Sequence, residues 1–138
     1  MKCKFFALFL AFVSSQSLAM QLASDSEEYH KATLEFDLWM APTHGALADF
    51  LGYAAIKAGT YGGLKNTKAM LFSHAKSGSN ALAFSCSDTT ARLEVFKSLD
   101  GFEENALASL VLVLLDSTKC SSKELAKIDR VGAKYAFK

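Results

Sequence analysis

The sequence predicts an all-α domain, a compact bundle of four to five helices with one disulfide, on three observations. Apolar residues recur at three- to four-residue intervals along most of the chain after residue 24. Capping residues stand ahead of these stretches, and glycine or the single proline stands behind them. The run Ala106 to Leu115 is apolar nearly all round, as a central buried helix should be. The alternative is an α+β fold with a short hairpin within 69–87.

Residues 1–19 stand apart from this domain. A basic start, Met1-Lys2-Cys3-Lys4, precedes the apolar run Phe5 to Val13, and small residues follow at Ser17 and Ala19. These are the parts of a cleaved secretory signal peptide, with cleavage expected after Ala19. The run is too short to cross a bilayer core of about 30 Å as a helix, and no later apolar stretch reaches about 18 residues. The expectation is a single helical domain over 20–138, periplasmic or secreted, with no transmembrane segment once the leader is removed. Met20 follows the cleavage point where a lipoprotein would need cysteine. Without Lys2 and Lys4 the remaining 119 residues hold 13 basic and 14 acidic side chains, so no basic excess suggests nucleic acid as a partner. Eleven Phe, four Tyr and a Trp exclude a disordered chain.

The first expected helix covers 24–40. Ser24 with Glu27, or Asp25 with Glu28, can form a capping box, and Tyr29, Ala32, Phe36 and Trp39-Met40 then share one stripe. Pro42 ends it. Thr43 can cap a second helix through about Ala58, with Leu47, Phe50, Leu51, Ala54, Ala55 and Ala58 on its buried side and Gly59, Gly62 and Gly63 stopping it. From Leu64 to Cys86 the reading is a short helix and then a loop, Lys76 to Asn80 being the polar break. Asp88 or Thr89 caps a helix with Leu93, Phe96 and Leu99 that ends near Gly101, and the central helix of 106–115 follows. The last helix is expected from about Ser121 to Tyr135.

Cys3 leaves with the leader, so Cys86 and Cys120 remain, and an exported domain most simply joins them in a disulfide. On the helical reading this bridge ties the open ends of a helical hairpin. Lys119, Lys123, Lys127, Arg130, Lys134 and Lys138 step by three or four, which places all six in one basic stripe of that last helix. Such a stripe is a solvated face, or an edge that docks an anionic membrane or wall surface.

No catalytic, cofactor or metal motif can be built. His30, His44 and His74 are scattered, and no His-Glu-x-x-His, Gly-x-Ser-x-Gly, phosphate loop or dinucleotide fingerprint occurs. The expectation is therefore a protein without a cofactor and not an enzyme, with a homo-oligomer as a further possibility.

Three elements resemble a known family. Leu51-Gly52-Tyr53, then Phe84-Ser85-Cys86, then Ala108 to Leu115 leading to Cys120, resemble the periplasmic Tai/Rap-type immunity proteins of bacterial type VI secretion, over about residues 47–120. The cysteines which that family usually carries just before its Gly-Tyr and further upstream, and the proline that commonly follows its first hairpin cysteine, have no counterpart here. The resemblance implies a protein as partner: a small helical domain that neutralises an amidase-type, cell-wall-degrading effector by occluding it. Trp39, Tyr53, Tyr61 and Phe102 are the aromatic candidates for such a contact.

Overall fold

The computed structural model describes residues 21–40, 45–58, 62–78 and 80–138. The expected leader, Pro42, Thr43, His44 and Tyr61 lie outside them. Among the described residues the architecture is α/β, with five helices and a four-stranded sheet. In chain order the elements are α1 (Glu27–Leu34), β1 (Phe36–Leu38), α2 (Ala46–Ala58), α3 (Leu64–Ser77), β2 (Ala81–Ser85), α4 (Thr89–Leu99), β3 (Val111–Leu115), α5 (Ser122–Arg130) and β4 (Lys134–Phe137). The strands are parallel, and their spatial order β1-β2-β3-β4 is their order in the chain.

This corrects the all-α expectation, and its α+β alternative as well. Within 69–87 there is no hairpin: α3 runs to Ser77, and β2 pairs in parallel with β1 on one side and β3 on the other. The supposed central helix is a loop followed by β3. Leu112, Val113 and Leu114 are buried on both faces of the sheet, so the strand shows a continuous apolar run where a half-exposed strand would alternate.

The flanking helices are cut short for local reasons. Ser26 caps α1, its Oγ accepting from Tyr29 N at 3.1 Å, and the helix stops at Leu34. Beyond it Phe36, Asp37 and Leu38 pair with Ala81, Leu82 and Ala83. The last helix has a full capping box between Ser121 and Glu124, but it ends at Arg130. Gly132 then takes φ +78°, reversing the chain into β4.

The sheet separates two cores. On one face Leu71 and Ala75 of α3, Val95, Phe96 and Leu99 of α4, and Ile128 of α5 pack on Leu82, Phe84, Leu112, Leu114 and Tyr135. These helices share a face because crossovers of one hand, each adding a strand to the same side, must stack that way. Phe84 is fully buried and meets Phe96 edge-to-face, a burial worth roughly 2–3 kcal/mol. The opposite face is thinner: Ala81, Ala83, Val113 and Ala136 cluster with Ala32 of α1 and with Leu22.

Cys86 and Cys120 form the expected disulfide. It joins the end of β2 to the residue ahead of the α5 cap, so it staples two strand-to-helix connections and not a helical hairpin. The two sheet edges also differ. Gln21 forms a parallel bridge with Tyr135, and Leu22 N donates to Tyr135 O at 2.8 Å, so the chain closes the outer edge of β4 with its own backbone. No described strand covers the outer edge of β1.

Candidate functional site

The open edge is apolar at its flanks. Trp39 N donates to Ala83 O at 2.8 Å, and alternate residues of a strand address opposite neighbours. The main-chain amide of Leu38 therefore points to the uncovered side. Leu38 is 53% exposed, Met40 68% and Leu34, at the end of α1, 79%. Period-two alternation puts Leu38 and Met40 on the sheet face of Phe36, and Asp37 on the other. An edge with free backbone groups and exposed apolar side chains is a template for an added strand.

Helix α2 presents a second unusual surface. Only Ile56 among its described side chains is buried, and Gly52 and Tyr53 are half-buried with it on the inward side. Leu47, Phe50 and Leu51 are 73%, 67% and 59% exposed, and Ala54 and Ala58 are exposed as well. Of the stripe expected to be the buried side of this helix, Ala55 is half-buried and the other five residues face outward.

At the carboxyl ends of β2 and β3 the polar groups are spent on each other. Ser87 Oγ donates to Asp116 Oδ2 at 2.9 Å, Ser85 Oγ lies 2.7 Å from Ser87 Oγ, and Asp116 holds φ +51°. Ligands of open α/β sheets bind where the strand order reverses, and among these strands it never does. A cleft of about 120 Å³ at the amino ends of β2 and β3 is lined by Glu28, Lys31, Glu35, Asn80 and Ser109, and Glu28 is already paired with Lys134 at 3.3 Å.

His74 of α3 is the one described histidine bonded to a carboxylate. Its Nε2 lies 3.1 Å from Asp37 Oδ2 and its Nδ1 3.0 Å from Met70 O. Both ring nitrogens are thus turned to oxygens of the chain itself, one of the main chain and one of a carboxylate. Among the described residues no group of three His, Cys, Asp or Glu side chains is placed to hold a metal. Nor is any described helix long and apolar enough to cross a membrane.

Among the described residues three titratable groups are perturbed. Burial, reinforced by the charge of Asp88 and opposed by the 2.8 Å hydrogen bond from Thr67, holds the Glu94 carboxyl above its ordinary range. Burial raises Asp129 in the same direction, and Tyr135 is raised by burial and then by Asp129. Glu94 is buried on α4 and accepts from Thr67 of α3, so it joins the two helices.

The three described aromatic candidates are not brought together on an open surface. Trp39 and Phe102 are half-buried against the main core, and Tyr53 is half-buried on α2. The basic residues are dispersed by the end of α5. Lys119 lies in the 3-10 turn Ser117–Lys119, Lys123 and Lys127 on α5, Arg130 at its end, Lys134 on β4 and Lys138 beyond it. Lys127 pairs with Asp100, Arg130 donates to Phe102 O and Leu99 O, and Lys134 pairs with Glu28. Lys138 donates to Thr33 O and lies over the Phe36 ring. These cations tie elements together. The elements that carry the family resemblance fold differently from the helical hairpin it implies: Gly52-Tyr53 lies in α2, but Phe84-Ser85-Cys86 closes β2 and Ala108 to Leu115 runs into β3.

Comparison with known proteins finds no matching family model, no matching curated protein and no matching solved structure.

Proposed function

We propose that this chain is an exported binding protein that neutralises its target by covering it, the target being an amidase-type, cell-wall-degrading effector. One observation carries the reading, the open apolar-flanked edge of β1, which contrasts with the self-closed edge of β4. An extended segment of the target adds there as a further strand, bonding the outward amide of Leu38, with its alternate side chains against Leu38 and Met40. Such occlusion needs no reacting group. Periplasmic or secreted localisation is supported by the expected leader and by the disulfide, whose Cys86 is fully buried.

The test asks first whether a reading frame beside this one encodes a wall hydrolase, and pairs that product with the purified 20–138 chain. Wall-fragment hydrolysis should fall stoichiometrically with added chain. Leu38→Pro should abolish that inhibition while keeping the unfolding midpoint, because the N–H it removes lies on the open side of an edge strand. Undiminished inhibition by Leu38→Pro would remove the edge as the site, and no association of the wild-type pair at micromolar concentration would remove the neutralising role.

A further inference from the structure

We propose that α2 pairs with the α2 of a second copy of this chain, antiparallel across a two-fold axis, and that this contact makes the free protein a reversible dimer. The inference stands on α2 alone and does not need the β1 edge.

At 100° per residue, Leu47, Phe50, Leu51, Ala54 and Ala58 fall within about 100° of arc, centred opposite the buried Ile56. Their sizes are segregated along the helix. The large side chains occupy the amino-terminal half of the stripe and alanines the carboxyl-terminal half. In an antiparallel pair with the two-fold axis at the level between Gly52 and Tyr53, Leu51 of one copy lies opposite Ala54 of the other, and Leu47 opposite Ala58. Each contact occurs twice, so both leucines of the stripe meet alanines, with Phe50 at its flank, and the stripe complements itself, as an isologous interface requires. A parallel pairing would set leucine against leucine and alanine against alanine. The antiparallel arrangement also opposes the two helix dipoles favourably.

The area sets the strength. Three large side chains more than half exposed and two alanines present on the order of 400–500 Å² per copy, a patch size that marks interaction surfaces. Doubled across the axis this approaches roughly 1,000 Å², the lower bound for a specific interface, so a micromolar dimer is expected and not a permanent one. A lipid surface is the weaker occupant. An interfacial helix carries several basic residues on its polar face, and α2 carries only Lys57.

Sedimentation velocity of the 20–138 chain from about 1 μM to several hundred μM should show monomer giving way to dimer. Ala54→Leu adds apolar surface but fills the pocket opposite Leu51, so it should weaken association at least about tenfold. The exchange Leu51→Ala with Ala54→Leu restores a large residue against a small one and should restore the dimer. Both positions are exposed, so the fold is unaffected, which circular dichroism checks. A monomer at every concentration would overturn the proposal. So would tighter association of Ala54→Leu, the mark of an unspecific apolar contact, or binding of the monomer to phosphatidylglycerol vesicles that is lost on Leu51→Asp.

Discussion

Reducing the Cys86–Cys120 bridge should cost this domain a large part of its stability. Cys86 is fully buried and Cys120 is 9% exposed, and each belongs to the main core. Reduction therefore removes the cross-link while leaving two small apolar thiols in place. The bridge closes a sequence separation of 34 residues, for which loop-closure entropy amounts to about 4 kcal/mol at 25 °C. Net stabilities of single domains run from about 5 to 15 kcal/mol, so the loss is between a quarter and most of the total. The assay is urea unfolding of the oxidised chain against chain refolded from denaturant with reductant present. With a slope of about 1.5 kcal/mol per M, the midpoint should fall by about 2–3 M. Cys86→Ala/Cys120→Ala should fall further, because truncation adds a cavity to the lost cross-link. Midpoints within about 0.5 M of each other for the oxidised and reduced chains would refute the reasoning, since the unfolded ensemble would then gain nothing from release of the loop.

Two further outcomes follow from the packing. Because burial lifts the Glu94 carboxyl, the folded chain holds that proton more tightly than the unfolded chain does. Its contribution is most favourable below the ordinary carboxylate range and is lost as pH rises from the unfolded value through the folded one. Glu94→Gln retains an oxygen for Thr67 and should flatten that fall, read as melting temperature against pH from about 4 to 7; an unchanged pH slope would count against it. Gly132→Ala should destabilise by more than about 1 kcal/mol, since φ is +78° and a Cβ would stand 3.0 Å from Asn105 Oδ1 and 3.1 Å from Asn105 Cα. Gly62→Ala, whose Cβ would meet nothing within 4 Å, is its neutral control in the same chemical-denaturation measurement.

Local chemistry made α2, α4 and the disulfide legible. Asp88 does cap α4, accepting from Ala91 N at 3.1 Å, and α2 ends at Ala58 next to Gly59. The sheet was hidden because its central strands are buried on both faces. Without alternation, Val111 to Leu115 carries the same apolar signal as a buried helix, and only the β-branched Val111 and Val113 lean toward a strand. At β1 the apolar positions Phe36, Trp39 and Met40 fit a helical stripe, yet pairing with β2 decides the backbone. Periodicity also shows which residues share a face but not where that face turns. On α2 the single Ile56 outweighs five stripe residues, because it is the side that finds a core. The basic stripe depended on helix continuing past Arg130, and Gly132 with β4 sends Lys134 and Lys138 to the α1 side of the sheet, where they meet Glu28 and Thr33.

The order of the strands bears on where function can reside. Each new strand is added to the same side of its predecessor, so the crossover helices accumulate on one face, and no reversal opens a crevice between strands. The polar groups at the strand ends are consumed by turns and by the neighbourhood of the disulfide. Most of what stays outward and apolar is then peripheral: the first strand, which among the described strands has a neighbour on one side only, and α2, which the β1–β2 crossover carries in addition to α3. Both surfaces come from the same part of the chain, Leu34 to Met40 and Leu47 to Ala58, whereas residues 81–137 build the other three strands of the sheet and its staple. Division of the chain into a rigid frame and an apolar leading segment suits a protein that acts by contact. Substitutions at exposed positions of 36–58 can then alter association with little effect on folding, while the frame sets the stability against which they are measured.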